Sequence, residues 1–164
     1  MKLTPKYPSS GTTLVEILVA VVLLASFFAS LFEASALCLR FISASKQGIA
    51  GIAAVQDRME VLRNSDFSSL TSTSYVQGLL GSPANASEYV PSMTEIVKLA
   101  AYPTANGTTQ ITRHTDGSVT VDSTAASLGT ALVKVDISDS WRTVFNGRSR
   151  TEQSSTVISN GSKK

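Results

Sequence analysis

Glu16 is the residue in this 164-residue chain whose placement most demands a chemical explanation. It stands in "SSGTTLVEILVAVVLLA", residues 9–25, five residues after Gly11, and no other charged side chain occurs from Leu14 to Phe32. At the centre of a membrane helix such a charge costs about 2.5–3.5 kcal/mol on insertion scales. Thr13 and Glu16 together form a T-x-x-E capping box, which satisfies orphan N–H groups at a helix start. Near a membrane interface the carboxylate could also reach water at little cost.

Other residues with chemical potential lead less far. His114 is the single histidine, and with Asp116 and neighbouring serines it suggests a hydrolytic triad. The chain lacks the G-x-S-x-G elbow that exposes a nucleophile, so His114 reads as an exposed residue beside a hairpin turn. Asp122, Asp136 and Asp139 are poorly spaced for a metal, no calcium loop is evident, and no phosphate-cradling glycine loop occurs. Cys38 is the only cysteine, which excludes an intramolecular disulfide. Acylation of Cys38 is disfavoured by Leu37, which is large where lipoprotein processing wants a small residue. Asn85, Asn106 and Asn160 begin N-x-S/T triplets of the kind that such a composition yields by chance. No cofactor and no enzymatic activity are expected.

These residues must be positioned by elements of very different character. Thr12 to Phe32 is 21 residues long, enough as a helix to cross a hydrocarbon core of about 30 Å. Of the fourteen basic residues, Lys2 and Lys6 precede Gly11, which leaves twelve of each sign in the remainder. A global basic field for nucleic acid is therefore not expected. The two lysines instead predict a cytoplasmic N-terminus with the bulk of the chain across the membrane. Three readings fit this start. One is a secretory signal cut after Ala34-Ser35-Ala36, with an apolar region of about 19 residues, longer than usual. Another is an uncleaved anchor. The third is a short leader removed before the apolar run, and only this reading gives Gly11 and Glu16 a purpose.

"GTTLVEILVAVVLLA" resembles the N-terminal motif of type IV pilins and type II secretion pseudopilins. In that family a short basic leader ends in Gly, the fifth mature residue is Glu, and a continuous apolar stretch follows. The resemblance implies cleavage by prepilin peptidase between Gly11 and Thr12, N-methylation of Thr12, and a family glutamate at Glu16. Thr12 departs from the large apolar residue usual at that place. The resemblance further implies insertion in a bacterial inner membrane and assembly, by an inner-membrane platform, with other pilin or pseudopilin subunits. The apolar helix would then exchange lipid for neighbouring helices. Glu16 would pair with the terminal amine of Thr12 on an adjacent subunit.

Beyond Phe32 the apolar pattern narrows to a stripe at Leu37, Phe41, Ala44, Gly48, Ile52, Val55, Met59 and Leu62, spaced as one helical face. A helix from Thr12 to about Arg63 would be about 78 Å long. Gly48 and Gly51 are its weak points, each costing about 1 kcal/mol relative to Ala. "AAVQDRMEVLRNSDFSSL", residues 53–70, resembles the helix end of I-type pseudopilins and V-type minor pilins, with Met59, Glu60, Leu62 and Arg63 carrying the likeness.

Residues 65–108 are rich in Ser, Thr, Asn, Gly and Pro and read as a connection, with a short helix around Met93–Ala101. Strand signals follow. Asp116-Gly117 and Asn146-Gly147 mark two hairpins, and "TALVKVDIS" alternates Leu132 and Lys134 against Val133, Val135 and Ile137. Four or five antiparallel strands are expected, with Trp141, Val135, Ile137 and Val157 facing the helix. "VKVDISDSWRTVFNGRSRTEQSSTVIS" resembles the closing strands of the same I-type and V-type subunits.

The expected fold is α+β, a long N-terminal helix whose amphipathic half packs on a small antiparallel sheet. The expected organisation is a leader over 1–11, an apolar assembly helix over 12–32, its amphipathic continuation over 33–64, a connection over 65–108 and a sheet region over 109–164. The expected function is that of a pilin-like structural subunit, a minor one, of a type IV pilus or secretion pseudopilus. The alternative is a conventionally secreted or membrane-anchored binding module or enzyme.

Overall fold

The computed structural model describes residues 13–161 other than 86, 88, 89, 91, 126 and 130. Three helices precede five strands: α1 (Leu14–Asn64), α2 (Phe67–Leu70), α3 (Thr73–Leu80), β1 (Thr94–Ala101), β2 (Thr109–Arg113), β3 (Val119–Ser123), β4 (Leu132–Arg142) and β5 (Ser149–Ser159). The chain divides into two compact units, Met1–Arg40 and Phe41–Lys164.

In the first unit the described residues are Thr13 and the start of α1. Its apolar side chains from Leu14 to Phe32 are exposed, and an 18-residue stretch of mean hydropathy 2.6 has no buried residue. The helix is long and apolar enough to cross a membrane. The two serines between Leu14 and Phe32 are satisfied within the helix: the Ser26 hydroxyl donates to the Leu23 carbonyl at 2.8 Å, and Ser30 donates to the Ser26 carbonyl at 2.9 Å. Such back-bonding removes the need for water at a hydroxyl in apolar surroundings.

The second unit is built on a sheet of order β3-β2-β1-β4-β5, antiparallel at every pairing. Both expected hairpins form. β2 and β3 turn through Gly117 and β4 and β5 through Gly147, each glycine at a positive φ that other residues rarely adopt. β4 alternates cleanly, with Val133, Val135, Ile137, Asp139 and Trp141 buried on one face. That face receives α1, α2 and α3. Val55, Met59 and Leu62 of α1, with Leu70, Val76 and Leu80, close over Val97, Leu99, Ile111, Val133, Val135 and Ile137.

Several expectations about the second unit are corrected. Residues 94–101 form a strand at the centre of the sheet, not a helix around Met93–Ala101 and not part of a connection. Their period of two buries Glu95, Val97 and Leu99 together, and the short run with its acidic member masks that alternation. The buried face of α1 is Gln47, Gly48, Ala50, Gly51, Ala54, Val55, Arg58, Met59 and Leu62. Ile52, 45% exposed, and Phe41 lie off it, and Leu37, in the first unit, is exposed. Two polar residues take part in the docking face because each finds a partner there. The Gln47 side-chain oxygen accepts the Val144 N–H at 3.3 Å, and Arg58 is held as described below. Val157 is 43% exposed because it is paired with Lys134 on the outer face; Ile158, paired with Val133, faces the core.

Gly48 and Gly51 are where α1 comes closest to its neighbours. A methyl group on Gly51 would overlap the Trp141 ring, and one on Gly48 would lie 2.7 Å from a terminal nitrogen of Arg150. The intrinsic helix penalty at Gly51 is therefore offset by seating the buried indole. Gly51→Ala is expected to lower stability by about 1–3 kcal/mol through overpacking. Gly78→Ala, at an exposed position of α3 with no atom within 4 Å of the added carbon, is expected to raise it by about 0.5–1 kcal/mol. Urea unfolding of the full chain in detergent micelles measures both.

Candidate functional site

The first candidate site is the start of α1. Thr13 is the capping residue: its hydroxyl oxygen accepts the Glu16 N–H at 3.3 Å, and its carbonyl accepts the Glu16 and Ile17 N–H groups at 3.0 and 3.2 Å. Glu16 thus occupies the third helical position, where a carboxylate also complements the helix dipole. No described residue pairs with its carboxylate, and the side chain is exposed among apolar neighbours. Gly11 and Thr12, the expected cleavage and methylation positions and the source of the expected amine partner, lie outside the described residues.

The second site was not foreseen as one. Across the core face of the sheet, Arg113 on β2, Glu95 on β1, Asp139 on β4 and Glu152 on β5 are register neighbours in a single row. Arg58 of α1, only 4% exposed, comes down onto that row. Its Nε donates to Glu95 Oε1 and its Nη2 to Glu95 Oε2 at 3.1 Å, a bidentate pair. The rest of the guanidinium holds the end of α3 and the turn after it, with Nη1 donating to the Leu79 carbonyl at 3.0 Å and Nη2 to the Ser82 carbonyl at 2.8 Å. One side chain therefore ties α1 to β1 and to the 79–82 turn.

Asp139 has no such partner. It is 0% exposed, and neither carboxyl oxygen has a hydrogen bond. Burial pushes its carboxyl up to about 7, the Glu95 carboxylate adds to the rise, and the Arg58 guanidinium opposes it. The sequence signal for this row was parity. Glu95 shares its parity with Val97 and Leu99, and Asp139 shares its own with Val135, Ile137 and Trp141.

The remaining sequence candidates are scattered. The His114 ring nitrogen Nε2 is 2.9 Å from the Thr120 hydroxyl, bridging the β2–β3 hairpin. Asp116 accepts hydrogen bonds from the Ser118 hydroxyl and amide, which hold its carboxyl below the ordinary value. Asp136 pairs with Lys134 at 2.9 Å on the outer face, away from Asp139. Cys38 is exposed on α1. Among the described residues no group of three or more His, Cys, Asp or Glu side chains could hold a metal ion. Comparison with protein-family models, with curated proteins and with solved structures returns no match.

Arg58→Ala is expected to destabilise the fold by about 3–5 kcal/mol, because it strands Glu95 as a buried charge. Replacing the pair together, Arg58→Met with Glu95→Leu, is expected to cost less than the single change; urea unfolding of the full chain in micelles compares them. For Asp139 the folded value lies above the unfolded one near 3.8, so the folded state binds the extra proton. Its contribution is complete below about pH 4 and is lost as pH rises toward 7, by about 4 kcal/mol at most. Asp139→Asn is expected to flatten that slope, measured as unfolding free energy from pH 5 to pH 8.

Proposed function

We propose that this chain is a pilin-like structural subunit, a minor one, of a type IV pilus or type II secretion pseudopilus. The single observation that carries the reading is Glu16, a carboxylate without a partner among the described residues, near the start of an exposed helix apolar enough to cross a membrane. Gly11, five residues earlier, supplies the expected leader end. Prepilin peptidase cuts after Gly11 and the new amine at Thr12 is methylated. The subunit is then anchored by one span in the bacterial inner membrane, with a short cytoplasmic N-terminus and the folded unit in the periplasm.

The physical logic lies in the environment of the first turn. In a lipid interface Glu16 can reach water; in the core of a fibre it cannot. An unpaired buried carboxylate is heavily penalised, whereas one opposite a positively charged amine offsets much of its desolvation. The amine of Thr12 on a neighbouring subunit is such a partner, and the pairing fixes axial register between helices. Membrane lipid, the assembly platform and sister subunits are the partners of this reading. It assigns the chain no catalysis and no nucleic acid.

A second reading is favoured by the Thr13 hydrogen bond, in which the T-x-x-E pattern serves only to start the helix. The two separate cleanly because that bond reaches the Glu16 backbone N–H. Glu16→Ala keeps it, and Thr13→Val removes it. In cells that carry an assembly machinery, Glu16→Ala is expected to insert and be processed normally, with incorporation into filaments reduced about tenfold or more, equivalent to roughly 1.4 kcal/mol. Thr13→Val is expected to assemble normally. Sequencing of the mature N-terminus is expected to begin at methylated Thr12; a start at Leu37 would sink the proposal.

A further inference from the structure

We infer that the junction between α1 and the sheet is a proton-operated latch, in which the charge on Asp139 decides whether Arg58 holds the turn that follows α3. All its parts lie in the unit Phe41–Lys164, so the inference does not depend on how the chain assembles.

The geometry is a competition for one guanidinium. Glu95 and Asp139 are direct register partners on β1 and β4, both buried, on the face that α1 covers. Arg58 gives two of its five N–H donors to Glu95 and one each to the Leu79 and Ser82 carbonyls. When Asp139 is neutral, this arrangement leaves Arg58 and Glu95 balanced and the 79–82 turn fastened. When Asp139 loses its proton, the row gains a second buried carboxylate beside the first. Arg58 then gains more from bridging two carboxylates than from two neutral carbonyls, because a bond with both partners charged is the stronger kind. The Leu79 and Ser82 carbonyls are released into an open groove that Arg58, Leu79 and Ser82 line and where water can take their place.

The other charges around Asp139 do not supply that counter-ion. On β5 its register partner is Glu152, half-exposed and itself acidic. Arg150, on the same strand, lies against Gly48 of α1 opposite the next pair, with Trp141. Arg113 on β2 is the register partner of Glu95, on the side away from Asp139. On α1, Asp57 and Glu60 line the groove. On α3 the titratable group is Tyr75, whose hydroxyl is 3.1 Å from that of Ser65. The described residues of the segment 81–93 include no titratable side chain. The elevation of the Asp139 carboxyl to about 7 puts the exchange near neutral pH.

Hydrogen–deuterium exchange of the full chain in detergent micelles tests the latch, at pH 5.5 and pH 8.5 after correction for intrinsic exchange rates. Protection in residues 76–85 is expected to fall about tenfold or more at the higher pH, while β1 and β4 keep theirs. Asp139→Asn is expected to hold the low-pH protection at both values. Equal protection of 76–85 in the wild type at both pH values overturns the proposal. So does an Asp139→Asn variant that retains the pH dependence. A uniform loss across the sheet also overturns it, since that is general destabilisation without a latch. If Asp139→Asn fails to fold, carbon-13 titration of the wild-type Asp139 carboxyl is set beside the pH profile of exchange in residues 76–85. A shared midpoint supports the latch, and different midpoints overturn it.

Discussion

The Arg58 guanidinium is the constraint on which the folded unit turns. A cation of that size is taken out of water only where acceptors replace the water it loses, and here three elements supply them: β1 through Glu95, α3 through the Leu79 carbonyl, and the following turn through the Ser82 carbonyl. Hydrophobic contacts alone would let α1 rotate or slide over a smooth apolar face. A fork of fixed geometry at residue 58 does not permit it, because a shift of one residue would carry the charge off its row. The glycine and alanine positions one to three turns earlier then bring the helix close enough for Trp141 to be seated beneath it.

That polar anchoring explains why the docking face of α1 is not its most apolar face. Ile49 and Ile52 point to solvent while Gln47 and Arg58 are buried. Burial is awarded by the partner across the interface, and the partner surface here includes an exposed backbone amide at Val144 and a carboxylate at Glu95. The apolar start of the same helix answers to a different requirement. It has no buried side chain within its own unit, and its hydroxyls bond back to its own carbonyls.

Much of the architecture is readable from residue pattern because strong local signals agree with it. The long helix ending near Arg63, the two glycine turns and the alternation of β4 each rest on one short-range rule, and each is realised. Two of the failures share a cause. β1 and the docking face of α1 each carry a charged residue inward, and a pattern of apolar positions cannot anticipate a charge that is buried because a distant partner awaits it. Glu95 is meaningful only once Arg58, 37 residues away, is placed above it. Val157 and Ile158 are adjacent and both apolar, so only the register with β4 decides which faces inward. At the start of α1 the spacing of Thr13 and Glu16 was legible as a cap because its partners are neighbours in sequence.

Trp141 gives the chain an optical property. It is the only tryptophan, it is buried against Gly51, and its indole nitrogen has no hydrogen-bond partner. An indole in such a dry setting emits toward the blue, and hydration shifts the emission to longer wavelength. Its single-residue fluorescence therefore reports on the seating of α1 against the sheet, without any label, and distinguishes a docked helix from one that has lifted away.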